Sequence, residues 1–189
     1  AGQADGKLAI EIAAAGGHHV LLVGTPGQGK SLLADAMRGL LPPLTPHEEL
    51  ELALLWERHG WLGKRGWGRP CESVGAGVSL EGLAGGGSNG VLRPGILTEA
   101  HLGLLVVNEL PLLKPGCVEA LRSPLEEGCV RLQRTEARAE FPARFQLVAT
   151  MNECRCGPDE DIGCQCTRAE RREYQRLSLI HISEPTRQA

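Results

Sequence analysis

The sequence of 189 residues is poor in aromatic side chains, at 3%, and carries a formal net charge of only −3. The first scarcity leaves no stacking platform for unpaired bases beside its arginines. The second removes bulk charge as an argument for nucleic acid, so any such contact must rest on a local basic patch. No apolar run is long enough to span a bilayer, and no charged n-region with an apolar h-region opens the chain. With 42% of its residues apolar, a cytoplasmic globular domain without a membrane partner is the expectation. The chain has seven cysteines. In that compartment they argue against disulfides, and the clustering of four of them points to a metal.

The ends read differently from the middle. AGQADGKLAI opens almost within a helix, as though continuing an earlier segment, and the composition changes abruptly after Arg176. Residues 177–187 resemble the translation of a transposon-end sequencing adapter. On that reading residues 1–176 form the folded core and 177–189 a non-native tail.

Residues 7–15 suit a short helix stopped by Gly16-Gly17. HVLLVG reads as a buried strand entering a glycine-rich turn. The helix after it places Leu33, Met37, Leu40 and Leu41 on one face and ends at Pro42-Pro43. Thr45 and Glu48, with Pro46 between them, form a capping box for the next helix. From Gly60 to Gly95 no period emerges, and GLAGGGSNG reads as a flexible insert. LGLLVV is a second buried strand. PGCVEALRSPLEEG is a helix that Pro124 kinks, with Val118, Leu121 and Leu125 inward. VRLQRTEARAEF suits a hairpin with its tip near Thr135 and Glu136, and FQLVAT is a third buried strand. Apolar strands alternating with helices predict a parallel sheet covered on both faces.

The strongest chemical signal is Gly24-Thr25-Pro26-Gly27-Gln28-Gly29-Lys30-Ser31, a phosphate-binding loop of the form GxxxxGK[ST] between a strand and a helix. Its glycines let successive N–H groups converge on one anion, and the following helix adds its positive end. Lys30 can reach the β- and γ-phosphates of ATP, and the Ser31 hydroxyl can ligate Mg²⁺. Such a loop needs an acid and a base at the end of another strand. LLVVNE supplies Glu109 to polarise the attacking water, with Asn108 where a metal-facing carboxylate is usual. Asn152, ending the third strand, can hold the γ-phosphate or the water through its amide.

Taken together, GGHHVLLVGTPGQGKS, GGGS…RPG, NELP…VEALRSPLEEG, FPARFQLVATMN and CRCG…CQC follow the order of one family. The chain resembles the magnesium-chelatase-like AAA+ ATPases of the ComM/YifB type, over residues 2–176. The resemblance implies an α/β fold, a three-layer αβα P-loop NTPase (AAA+) core. Its expected features are a parallel five-stranded sheet, a glycine-rich insert and a β-hairpin before the third motif's strand, with the family's helical lid missing. It also implies a homo-hexameric ring with ATP and Mg²⁺ bound between subunits. Gly24 to Ser31 match Walker A, Asn108-Glu109 match Walker B, and Asn152 matches sensor 1. The sequence departs from the family pattern at Asn108, at Val74-Gly75-Ala76, and at Glu153 and Arg155. The arginine finger expected just beyond Ser178 is replaced, and such a finger contributes ~10³ to 10⁵ in rate.

Two features remain. Cys154, Cys156, Cys164 and Cys166 can close a tetrahedral Zn²⁺ site, with unligated thiols or a redox pair as the alternative. Cys71, Cys117 and Cys129 read as packing or loop residues, and His18, His19, His47, His59 and His101, which show no ligand spacing, as structural. Arg131, Arg134 and Arg138 on the hairpin can track DNA phosphates, or else pair with Glu136 and Glu140. Three functions follow: an ATP-driven motor acting on branched DNA, a metal-insertion motor of the chelatase kind, or an ATP-binding scaffold whose turnover Asn108 impairs.

Overall fold

The computed structural model describes residues 3–63, 68–88, 90–135, 137–156 and 164–174. The adapter-like tail and Glu136 lie outside the described residues. Helix α1 (Ala4–Gly16) ends where Gly17 adopts a left-handed conformation at φ 68° and its N–H bonds back to Ala13, a turn that glycine makes at no steric cost. Strand β1 (Val20–Val23) leads through the phosphate loop to α2 (Lys30–Met37). Helix α3 (Pro46–Arg58) starts on the expected capping box, with both the Thr45 and the Glu48 side-chain bonds made.

Strand β2 (Cys71–Val74) precedes α4 (Leu80–Ala84), and β3 (Gly85–Ser88) pairs antiparallel with β4 (Val91–Pro94). After α5 (Ile96–Glu99) comes β5 (Leu104–Val107), then a 3₁₀ turn at Leu110–Leu112. Helices α6 (Pro115–Ala120) and α7 (Arg122–Glu127) lead into the hairpin β6 (Cys129–Gln133) and β7 (Arg138–Pro142), and β8 (Gln146–Met151) follows.

The central sheet runs β1-β8-β5-β2, all parallel. Alternation along β5 and β8 builds the three layers, because successive side chains point to opposite faces. Leu104, Val106 and Val148 pack with Ile10, Ala13, Ala34 and Met37 of α1 and α2. Leu105, Val107, Leu147 and Ala149 pack with Leu83, Leu97, Leu110, Val118 and Leu121 on the other side.

Several expectations need correction. The sheet has four strands among the described residues, where five were expected. The glycine-rich insert is no loop: it contains α4 and the β3–β4 pair. A Cβ on Gly85 would stand 2.5 Å from the Arg93 carbonyl oxygen, and one on Gly87 2.0 Å from that of Val91, so this pairing requires glycine. Helix α2 stops at Met37, which leaves Leu40 exposed. Strand β1 is only half-buried, with Val23 exposed. Pro124 breaks the expected helix in two. Without an N–H it cannot bond to the carbonyl of Ala120, where α6 ends, and it sits in the first turn of α7, where that N–H is not needed.

Candidate nucleotide and metal sites

The parallel topology brings the carboxyl ends of β1, β8 and β5 side by side, and the three sequence motifs ride on them. Gly27 and Gly29 take left-handed conformations, at φ 82° and 77°, that turn the loop back onto the start of α2. Lys30 Nζ donates to Gly24 O and Thr25 O, each at 2.8 Å, and to Asn152 Oδ1 at 3.0 Å. The last bond joins the glycine-rich loop to the end of β8. Burial pushes the Lys30 ammonium below the usual lysine value, while the charges of Glu109 and Glu153 act the other way. Pro26, Gln28 and Ser31 are exposed at the loop's surface.

At the end of β5, Asn108 Nδ2 donates to Ser73 Oγ of β2 at 3.0 Å. Its other amide atom, Oδ1, is buried and accepts no hydrogen bond among the described residues. A buried acceptor without a donor is unfavourable, and this one fits a metal's water ligand, which would donate to it. Glu109 is exposed and adopts a left-handed backbone at φ 56° and ψ 59°, uncommon for a residue with a Cβ. Its N–H donates to the buried Thr150 Oγ1 at 3.1 Å. Thr150 and Ser73 were not singled out by the sequence. Neither has a motif, and each matters only through a neighbouring strand.

The four cysteines converge. The Sγ atoms of Cys154, Cys156, Cys164 and Cys166 all lie within 4.8 Å of one another. Cys154 and Cys156 are 2.9 Å apart, and Cys164 is 3.2 Å from each. Tetrahedral zinc with Zn–S bonds of about 2.3 Å needs sulfurs about 3.8 Å apart, so each must spread by less than an ångström. Hydrogen bonds from Cys154 and Cys164 push the Cys156 thiol down to about 6, as suits a metal ligand that must bind as thiolate. The donor set therefore fits a soft divalent metal.

Immediately after Cys166, Thr167 and Glu170 form a second capping box. Thr167 N donates to Glu170 Oε2 at 2.7 Å, and Glu170 N donates to Thr167 Oγ1 at 3.3 Å. The helix it opens, residues 168–174, buries Tyr174. Burial pushes the Tyr174 pKa up, as do the nearby charges of Glu109 and Cys154, while the nearby Asn152 N–H acts the other way. Sequence reading missed Tyr174, although TRAE after the last cysteine is a capping-box signature.

The hairpin arginines divide. Arg131 is committed to Glu127 and Glu140, which favours the paired alternative over a phosphate contact at that position. Arg134 and Arg138 make no ion pair among the described residues. Cys117 and Cys129 are buried, as packing residues should be. His101 and His19 are structural: their Nδ1 atoms accept the N–H groups of Arg144 and Leu147. A cavity of about 570 Å³ lies at the opposite, amino end of the sheet. The arginines lining it are already engaged, Arg69 with Glu48 and Arg144 with Glu51.

This arrangement, a phosphate loop, an Asn-Glu strand end and an amide on three adjacent parallel strands, agrees with comparison to known proteins. The profile of the family "Magnesium chelatase, subunit ChlI" matches residues 1–186. The chain belongs to that family. It is 42% identical over 180 residues to the protein YifB of Escherichia coli, covering 94% of this chain and 35% of YifB. It is 40% identical to the competence protein ComM of Haemophilus influenzae, over 80% of this chain and 30% of ComM. To the magnesium-chelatase 67 kDa subunit of Chlorobaculum parvum it is 34% identical, over 69% of this chain and 19% of the subunit. The chain spans about a third of the length of the first of these relatives. No helix among the described residues is long and apolar enough to cross a membrane.

Proposed function

We propose that this chain is the nucleotide-binding core of an ATP-driven motor that hydrolyses ATP with Mg²⁺, assembles as a homo-hexamer and acts on DNA. The observation that supports the ATPase reading is the Lys30 Nζ bond to Asn152 Oδ1, which joins the glycine-rich loop to the end of β8, with the charge of Glu109 near enough to act on Lys30. Backbone N–H groups of Gly27 to Lys30 bind the phosphates, and the Ser31 hydroxyl and Asn108 would hold Mg²⁺, which supplies charge neutralisation when bound. Glu109 polarises the attacking water, and Asn152 orients it. The four cysteines hold a structural Zn²⁺. DNA as the substrate rests on likeness to a competence protein and on two hairpin arginines, Arg134 and Arg138, that make no ion pair among the described residues and whose phosphate contacts would weaken steeply with salt.

ATP binding and turnover, measured with and without branched DNA, test this reading. Lys30→Ala should abolish binding, and Glu109→Gln should bind ATP without turnover. Stimulation by DNA that survives Arg134→Ala/Arg138→Ala would remove the hairpin from the DNA reading. Tight binding without turnover in the parent, restored by Asn108→Asp, would establish the scaffold reading instead. A metal-insertion motor is the reading drawn from the 67 kDa relative, and stimulation by a metal-porphyrin system rather than DNA would support it.

A further inference from the structure

Two cavities flank strand β4 and meet at Leu92, which lines both. The smaller, about 220 Å³, lies against the hairpin tip at Arg134 and Thr135. The larger, about 610 Å³, is walled by Arg58, His59, Trp61, Arg93 and Glu99. The scarcity of aromatic residues predicts no stacking platform beside the arginines. The fold nevertheless supplies one, because the chain leaving α3 brings Trp61 to the wall that carries Arg58 and Arg93.

The end of α3 fixes that placement. Gly60 is left-handed at φ 68°, its N–H bonds to Glu57 O at 3.1 Å, and the Trp61 N–H returns to Trp56 O at 2.7 Å. These are the two bonds of a Schellman cap, which glycine completes without strain. The His59 ring touches both Trp61 and Phe141 of β7, with centroids 5.1 and 5.7 Å away. Burial and the Arg58 charge push the His59 pKa down, so the positive charge of the wall comes from Arg58 and Arg93. Both are exposed and make no ion pair among the described residues. Glu99, the one acid among the lining residues, has partners of its own. Val91, on the same wall, is 59% exposed.

We propose that the groove of Arg58, Trp61 and Arg93 binds an unpaired DNA strand, with phosphates on the two arginines and a base packed on the indole, and that the strand continues past Leu92 to Arg134. The proposal deepens the DNA reading and rests on it for the choice of a nucleic acid. Cationic side chains beside an accessible ring are the donor set that single strands use, because every base offers a π-face once it is unstacked. A duplex would meet the same arginines, but its bases are already stacked on one another and cannot reach the indole. An acidic peptide would likewise use the arginines and leave Trp61 without a role. Leu92 makes the path continuous, since one strand lying along β4 passes from the hairpin cavity into the larger one without crossing the core.

The test titrates the full chain against a labelled oligothymidylate and a duplex of the same length, by fluorescence anisotropy at several salt concentrations. Arg58→Ala/Arg93→Ala should weaken single-strand binding and flatten its log–log salt slope by ~1.4, two phosphates at about 0.7 each. Trp61→Ala should weaken single-strand binding ~5- to 100-fold, with the slope and the duplex affinity unchanged. If Trp61→Ala does not fold, the exposed arginine pair and Trp61→Phe decide: the oligonucleotide should quench tryptophan emission in the parent and do so less in Trp61→Phe. An unchanged salt slope in the arginine variant overturns the proposal, as does undiminished quenching in Trp61→Phe. So does a Trp61→Ala effect equal on both DNA forms, displacement by poly-glutamate as effective as by unlabelled oligonucleotide, or a parent that binds no single strand. Groove variants that bind single strands like the parent, while Arg134→Ala/Arg138→Ala does not, remove this groove and leave the DNA reading standing. Strand binding that responds to these variants as expected but leaves ATP turnover unstimulated supports the groove and removes the DNA-motor reading.

Discussion

Replacing Asn108 with Asp probes the one motif position where this sequence gives up a charge. In the structure the Asn108 amide donates to Ser73 Oγ, and Oδ1 is buried without a donor. An Asp here loses the N–H, but the Ser73 hydroxyl can rotate to donate to the carboxylate instead, so the contact with β2 survives. The second carboxylate oxygen takes the position of the orphaned Oδ1. A water on Mg²⁺ that donates to a carboxylate rather than an amide exchanges a neutral hydrogen bond for a charge-assisted one, a gain on the order of 1 to 1.5 kcal/mol. At about 1.4 kcal/mol per factor of ten, the Mg²⁺ concentration for half-maximal binding of ATP should fall by ~5- to 10-fold. Without Mg²⁺ the sign reverses, since the new carboxylate faces the phosphates uncompensated. Titration of Mg²⁺ against a fluorescent ATP analogue, with and without a chelator, reads both. If the variant's Mg²⁺ dependence matches the parent's, or its affinity falls in both conditions, Oδ1 does not face the metal's waters.

Other perturbations follow from single contacts. Thr150→Val removes the hydroxyl that receives the Glu109 N–H at nearly constant volume. It should cost about 1 to 3 kcal/mol of stability and lower kcat more than ATP affinity, and an unchanged kcat would show that Glu109 needs no such hold. His101 is buried, accepts the Arg144 N–H at Nδ1, and therefore donates from Nε2 to Glu51 at 2.9 Å. Burial pushes its pKa down, and Glu51 is held low by the His101 and Arg144 bonds despite its own burial. Both groups are depressed, so their stabilisation is complete above the ordinary imidazole range and is lost as pH falls through the lowered values. Thermal melting should begin to drop as pH falls below about 6.5, the ordinary imidazole value, with the Glu51 contribution lost only further down, and a flat profile would show that the fold does not hold His101 neutral. Gly103→Ala would place a Cβ 2.0 Å from the Pro70 carbonyl oxygen, forcing β2 and β5 apart at a cost of about 3 kcal/mol, read as a lower denaturant midpoint.

Legibility in the sequence followed the range of the forces involved. The phosphate loop could be read because its glycines, Lys30 and Ser31 act within eight residues. The capping box at Thr45 was legible for the same reason. Strand β2 was not: Glu72 and Ser73 break any apolar run, and its identity comes from β5, whose Leu104–Val107 pair with it from thirty residues away. The β3–β4 pair was hidden by a misleading rule. Glycine density ordinarily marks a loop, but here the close approach of Gly85 and Gly87 to opposing carbonyls makes glycine the condition for pairing. The exposure of Leu40 could not be seen because helical periodicity does not say where a helix stops.

The Lys30 bonds make one last consequence testable. An ammonium has three donors, and Gly24 O, Thr25 O and Asn152 Oδ1 take one each. A phosphate oxygen that engages Lys30 must displace or share with one of these acceptors, and a bond to an anion is the stronger of the two. The two carbonyls belong to the loop that cradles the phosphates, so they stay close to Lys30 whatever binds. The Asn152 amide is on another strand and can turn away about its own side-chain torsions. Binding would then release this amide beside Glu109, where it can orient the attacking water. Asn152→Ala should therefore leave ATP affinity unchanged or slightly tighter, because one Lys30 donor no longer has to be freed, and should lower kcat by on the order of tenfold or more. A variant that loses ATP affinity in proportion to kcat would show that Asn152 grips the phosphate itself, and that its bond to Lys30 is not what binding exchanges.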